Sequence, residues 1–173
     1  MAAISVNKLT NANVYLDGGS FLGQAMEVEL PKITQVMAEH SALGMIAKFE
    51  IPSGVDKMEG KISWNSFYPA AMLKVADPTA SVKMQVRASL ETHTSDGRTA
   101  QVPCVAFMTV QFKEIPLGNY KQHENVELES ALNVLAVRLE INSQPIVELD
   151  VFANIYKVNG VDIAATYREN IGQ

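Results

Sequence analysis

Three histidines, one cysteine and a few acidic pairs are the residues here whose types could do chemistry, and their spacing assembles no reaction centre. His40, His93 and His123 each lie in or beside a stretch that reads as a loop. None has a neighbour at a metal-binding interval such as His-Glu-x-x-His, which sets two imidazoles on one helical face. His93 stands close to Ser95 and Asp96, residue types found in catalytic triads. Adjacency in sequence is not triad geometry, because three groups must meet at hydrogen-bonding distance. Cys104 occupies an apolar strand position beside Val102, Val105 and Ala106 and reads as a small buried hydrophobe. It lacks the electropositive, open setting that activates a thiol. Asp17-Gly18-Gly19 is too short to cradle a phosphate and opens no helix. Glu148 and Asp150 share a strand face, where paired acids are more often solvated or ion-paired than catalytic. No catalytic residue, metal ligand or cofactor site is assigned.

The elements around these residues must then serve packing. The chain has 173 residues, 47% of them apolar and 19% charged, which suits one domain with a proper core. So low a charge fraction favours hiding part of the surface in an oligomer. With 14 basic against 19 acidic residues the net charge is -5, unlike a nucleic-acid-binding surface. No apolar run reaches the roughly 18 residues that a bilayer demands. The N-terminus lacks signal-peptide regions, and a single cysteine allows no intrachain disulfide. The expectation is a cytoplasmic product.

The last third, Leu128 to Gly172, organises the rest. Leu135, Val137, Leu139 and Ile141, then Val147, Leu149, Val151, Ala153 and Ile155, recur every second residue, the signature of a long β-hairpin. Placing both apolar faces on one side requires an odd loop. A Ser143-Gln144-Pro145 loop sets Leu139 against Leu149, Arg138 against Asp150 and Glu140 against Glu148. Leu132, Val134 and Ala136 make the even face apolar too, so this strand wants cover on both sides, one of them from another subunit. Asn159-Gly160 then signals a turn, and Asp162 can cap a short helix over Ile163 to Glu169, ended by Asn170 or Gly172.

The run Val147-Glu148-Leu149-Asp150, Lys157 to Asp162 and Arg168-Glu169-Asn170-Ile171-Gly172 closely resembles the C-terminal end of major tail tube proteins. These build the tubes of contractile-tailed bacteriophages and R-type bacteriocins, and the likeness in length and element order extends over nearly the whole chain. It implies a single tube domain, stacked hexameric rings, a sheath outside, and baseplate and terminator proteins at the ends. It further implies DNA passing through the lumen without specific binding, and a place in the virion tail after assembly in the host cytoplasm. It implies no cofactor and no membrane insertion of the subunit. A bacteriocin, type VI or other contractile-system tube is the alternative, and a monomeric ligand-binding β-barrel a remote one.

In chain order, residues 1–12 read as an N-terminal arm, used between neighbours in the family, or else as a frayed terminus. Val14 to Leu16, the Asp17 to Ser20 turn and Phe21 to Leu30 form a hairpin in which Met26, Val28 and Leu30 face the core. Residues 32–56 are irregular, with a short strand at Met45 to Ile51 closed by Pro52-Ser53-Gly54. Within them, residues 40–56 read either as the family's excursion to the adjacent ring or as a core strand with a surface loop. Met58 to Trp64 alternates cleanly, and Pro69 to Lys74 forms a helix that Asp77-Pro78 stops. Val82 to Thr92 turns at Thr94 to Arg98 into Val102 to Phe112, and a polar loop over Pro116 to Asn125 leads to the closing hairpin. Strands outnumber helices without βαβ alternation, so the fold class is mainly β: an antiparallel sandwich or barrel, one flanking helix and a short C-terminal helix. The candidate inter-subunit contacts are Leu43, Met45, Ile46, Phe49, Leu132, Val134 and Arg168.

Overall fold

The computed structural model describes residues 4–173. Among the described residues all strand pairs are antiparallel, and ten of the twelve strands belong to one sheet. Its spine is three long neighbours: β7 (Val82–Thr94), β8 (Gly97–Phe112) and β9 (Leu128–Ile141). β1 (Val6–Leu16) borders β7, and β10 (Gln144–Asp150), β11 (Ile155–Val158) and β12 (Val161–Asp162) continue beyond β9. The first half of β9 also pairs with β6 (Met58–Trp64), which carries β3 (Ala25–Glu29). Alternation made this possible: in β6, Met58, Gly60, Ile62 and Trp64 are buried while Glu59 and Lys61 face water. The core collects Trp64, Phe112, Leu132, Ile62 and Val110. Helix α1 (Pro69–Val75) closes it with Ala71 and Val75, its proline at the start where no amide is needed. Asp77 caps the following turn through the Thr79 amide at 2.9 Å.

Several expectations are corrected by register. The apolar evens and odds of β9 do not lie on opposite faces. Opposite β8, Val134 meets Val110, but Ala136 meets Thr109, so Leu135 is an extra residue. That bulge moves the parity by one, and Leu132 and Val134 share the core face with Val137 and Leu139. One chain therefore covers the strand that was expected to need another subunit.

The β9–β10 connection is a two-residue turn, Asn142 and Ser143, both at positive φ (51° and 64°). It pairs Gln144 with Ile141, a register that alone would misalign the apolar faces. A second bulge, before Val147, restores the parity and sets Val147 against Leu139 and Leu149 against Val137. Arg138 consequently faces Glu148, not Asp150, and bonds Glu140 on its own strand. Glu148 pairs with Lys157 at 3.4 Å. The expected strand through Ile155 breaks at Val151–Asn154, where the Asp150 carboxylate accepts the Ala153 amide at 2.9 Å and Asn154 takes φ 53°.

At the N-terminus, residues 6–12 of the expected arm form the first half of β1, paired to β7; Met1–Ala3 lie outside the described residues. β1 meets only the two-residue β2 (Gly19–Ser20) after its turn, and β3 crosses to β6 instead. A register shift between Ala25 and Glu27 leaves Met26 exposed, with Ala25 and Val28 packed on the core; Leu30 lies past the end of β3 and is exposed as well.

Residues 32–56 form a hairpin of their own, β4 (Gln35–His40) and β5 (Phe49–Val55). The strand expected at Met45 starts only at Phe49 and runs through Pro52 to Val55, as an edge permits. All twenty residues from Gln35 to Gly54 are exposed, so the reading as a core strand fails. At the C-terminus the Asn159-Gly160 turn forms as expected, but α2 (Ala165–Asn170) starts later than Ile163 and no side chain caps it.

Candidate assembly surfaces

The polar groups that could do chemistry are engaged in structural bonds or stand apart. His93 and Arg98 both reach the Glu91 carboxylate, at 3.2 and 2.8 Å, and that pairing holds Glu91 below its ordinary pKa, Arg98 chiefly. Ser95 and Asp96 form the tip of that hairpin. His40 packs edge-on to Phe49, 5.4 Å between ring centres, and His123 lies in the exposed 113–127 loop. The Asp17 carboxylate accepts from Lys74 and from the Lys83 amide, and both bonds lower its pKa. Burial pushes the Cys104 thiol up, the wrong direction for a nucleophile. Among the described residues no three His, Cys, Asp or Glu stand close enough to hold a metal.

The seven candidate contacts divide by burial. Leu43 and Ile46, at the hairpin tip, are 105% and 106% exposed, with Met45 and Phe49 exposed beside them. Leu132 and Val134 are 0% and 2% exposed, buried in the core of this chain. Arg168 is turned inward: it donates to both Asp162 oxygens, the closer at 2.6 Å, and to the Asn154 carbonyl at 2.9 Å. It pins α2 to the turn before β11, raising its own pKa and lowering that of Asp162.

Three surface features escaped the sequence reading. The outer edge of β1 from Val6 to Asn13 has no pairing strand among the described residues, and neither has the outer edge of β3. Unpaired edges of this length are natural sites of strand addition. Between them the sheet stays open as an apolar groove of about 340 Å³, lined by Leu9, Ala12, Met26, Leu30, Ala88 and Cys104. At the far end, Phe67 and Tyr120 stack with ring centres 6.0 Å apart, and Leu73, Leu117 and Tyr120 are exposed. Edge pairing depends on tertiary register, so no local signal marked these features in advance.

An antiparallel β domain with its polar groups tied up structurally, and its uncommitted surface in open edges and a projecting apolar hairpin, has the make-up of a structural subunit. The chain belongs to the phage tail tube protein FII family, whose family model matches residues 6–172. It is 31% identical over 168 residues to the tail tube protein of Escherichia phage P2, covering 95% of this chain and 96% of that protein. Its fold is similar to a chain of the PVC sheath–tube complex, an extracellular contractile injection system in the extended state. There the TM-score is 0.52 at 12% identity, covering 75% of this chain and 87% of that one. A chain of the PVC sheath/tube terminator gives 0.54, also at 12% identity, covering 75% and 92%. At that identity the likeness speaks for the fold alone.

Proposed function

We propose that copies of this chain close into hexameric rings, that the rings stack into a hollow tube in a phage tail, and that the tube conducts DNA when an outer sheath contracts. Sheath, baseplate and tail terminator proteins are its partners, and assembly takes place in the host cytoplasm before the tube becomes part of the virion. The observation that carries this reading is the β4–β5 hairpin. A two-stranded hairpin is marginal alone in water, yet this one stands off the body with an apolar tip. Docking against another copy supplies the missing packing.

The open edges of β1 and β3 support closure within a ring, since strand addition between neighbours leaves no free edge. The sheet face turned away from the core suits a bore. Its cations have local partners, Arg138 with Glu140 and Lys157 with Glu148, while Lys83 donates to Thr109 and Arg87 lies over the Tyr15 ring. Cations engaged this way add little of the salt-dependent phosphate affinity that would hold DNA in transit. The interior is filled by Trp64, Phe112 and Leu132, which disfavours a ligand-holding barrel. Sedimentation velocity at micromolar and millimolar concentration tests the reading: large assemblies are expected, and a lone monomer at both concentrations would refute it.

A further inference from the structure

We propose that the hairpin tip of one copy, Leu43, Met45 and Ile46, seats on the apolar shelf of Phe67, Leu117 and Tyr120 at the opposite end of a second copy. The inference rests on the tube reading and names the acceptor that it leaves open. β6 runs from Met58 to Trp64. The hairpin leaves the body at the Met58 end, where the Asp56 amide donates to the Thr34 carbonyl at 2.9 Å and carries the pairing outward. Phe67 and α1 follow the Trp64 end. Trp64 pairs with Leu128, so the 113–127 loop that delivers the chain to Leu128 reaches that same end. Tip and shelf are therefore at opposite ends of β6, separated by the strand's roughly 20 Å, at about 3.3 Å per residue, and by the hairpin's own length. The exposure of every residue from 35 to 54, complete at Leu43 and Ile46, shows that the tip does not fold back onto its own shelf.

Two different patches at opposite ends make a heterologous contact, which propagates from copy to copy instead of closing on a pair. Twenty residues of the hairpin, from Gln35 to Gly54, are exposed and available, against the roughly 20 to 30 that each side of a standard interface draws on. The shelf is built to hold its shape. Gly118 sits at φ 79°, and a Cβ there would meet Val126 at 2.6 Å and Phe67 at 3.1 Å, so the loop closes onto Phe67 only with glycine. That closure holds the loop carrying Leu117 and Tyr120 against Phe67, whose ring Tyr120 stacks. Exposed aromatic and aliphatic surface of this kind is what an apolar tip needs.

The test is disulfide trapping in full-length protein in which Cys104→Ser removes the native thiol. With Leu43→Cys and Tyr120→Cys together, mild oxidation should give a ladder of covalent trimers, tetramers and longer chains. The control pair, Leu43→Cys with Thr99→Cys, should stay monomeric. Covalent dimers only, or tubes in electron micrographs without any ladder, would overturn the acceptor while leaving the tube reading intact. Absence of tubes from the unmodified protein would sink both. A second variant, Leu117→Ser with Tyr120→Ser, should lose stacking and retain the parent's melting temperature; stacking at the parent's level would overturn the proposal even if the cysteine pair fails to assemble.

Discussion

Leu132 shows how one side chain separates a core from an interface. It is fully buried between the β6 and β8 partners of β9 within a single chain. Leu132→Ala should therefore lower monomer stability by about 2–5 kcal/mol, the usual cost of such a cavity. Chemical denaturation of dilute monomer checks this, and an unchanged midpoint would restore the interface role. Arg168 makes a second case. Its bond to Asp162 is the first cause of that carboxyl's depressed pKa. A depressed carboxylate contributes stability that is full above its unfolded pKa of about 3.9 and is lost as pH falls through the folded value. Arg168→Ala should move the Asp162 titration up toward the ordinary range, followed by carbon-detected NMR. A carboxyl that titrates unmoved in the variant would contradict the pairing. The motif that contains Arg168 was legible as sequence, but its inward use was not. A guanidinium beside Glu169 gives no hint that it will reach Asp162 and the Asn154 carbonyl.

Elements were legible wherever alternation was uninterrupted. β6, the first half of β7 and the second half of β8 bury one set of alternate residues and leave the other half-buried or exposed, and α1 starts at its proline. The misreadings cluster at bulges. Leu135, the residue before Val147 and the shift at Met26 each add one residue, and a single addition exchanges the two faces of a strand. Periodicity counts residues and cannot see which one the partner strand skips. The β4–β5 hairpin failed differently. Its apolar residues follow a strand pattern, but only the tertiary structure shows that nothing in this chain covers them. Replacing Leu43 and Ile46 together with Ser should leave the monomer's thermal unfolding within about 0.5 kcal/mol of the parent, as for exposed sites. The same variant should sediment as much smaller species than the parent. If it unfolds instead, the tip carries part of the fold.

At the scale of the whole molecule, the body and its uncommitted surfaces have different work to do. One long folded sheet with a filled core fixes the subunit's shape. The open β1 and β3 edges, the hairpin and the far shelf are the uncommitted surfaces among the described residues, and in the proposed assembly further copies would satisfy them. Lateral edges suit a closed ring, and unlike ends suit an open stack, which together make a tube. The measurement that tests this most directly is cryo-electron microscopy of the purified full-length chain at high concentration. The account predicts hollow rings or tubes with six subunits per turn, β1 and β3 edges paired between neighbours, and each hairpin crossing to the next ring. Images showing only dispersed single subunits, or a filament without a bore, would contradict it.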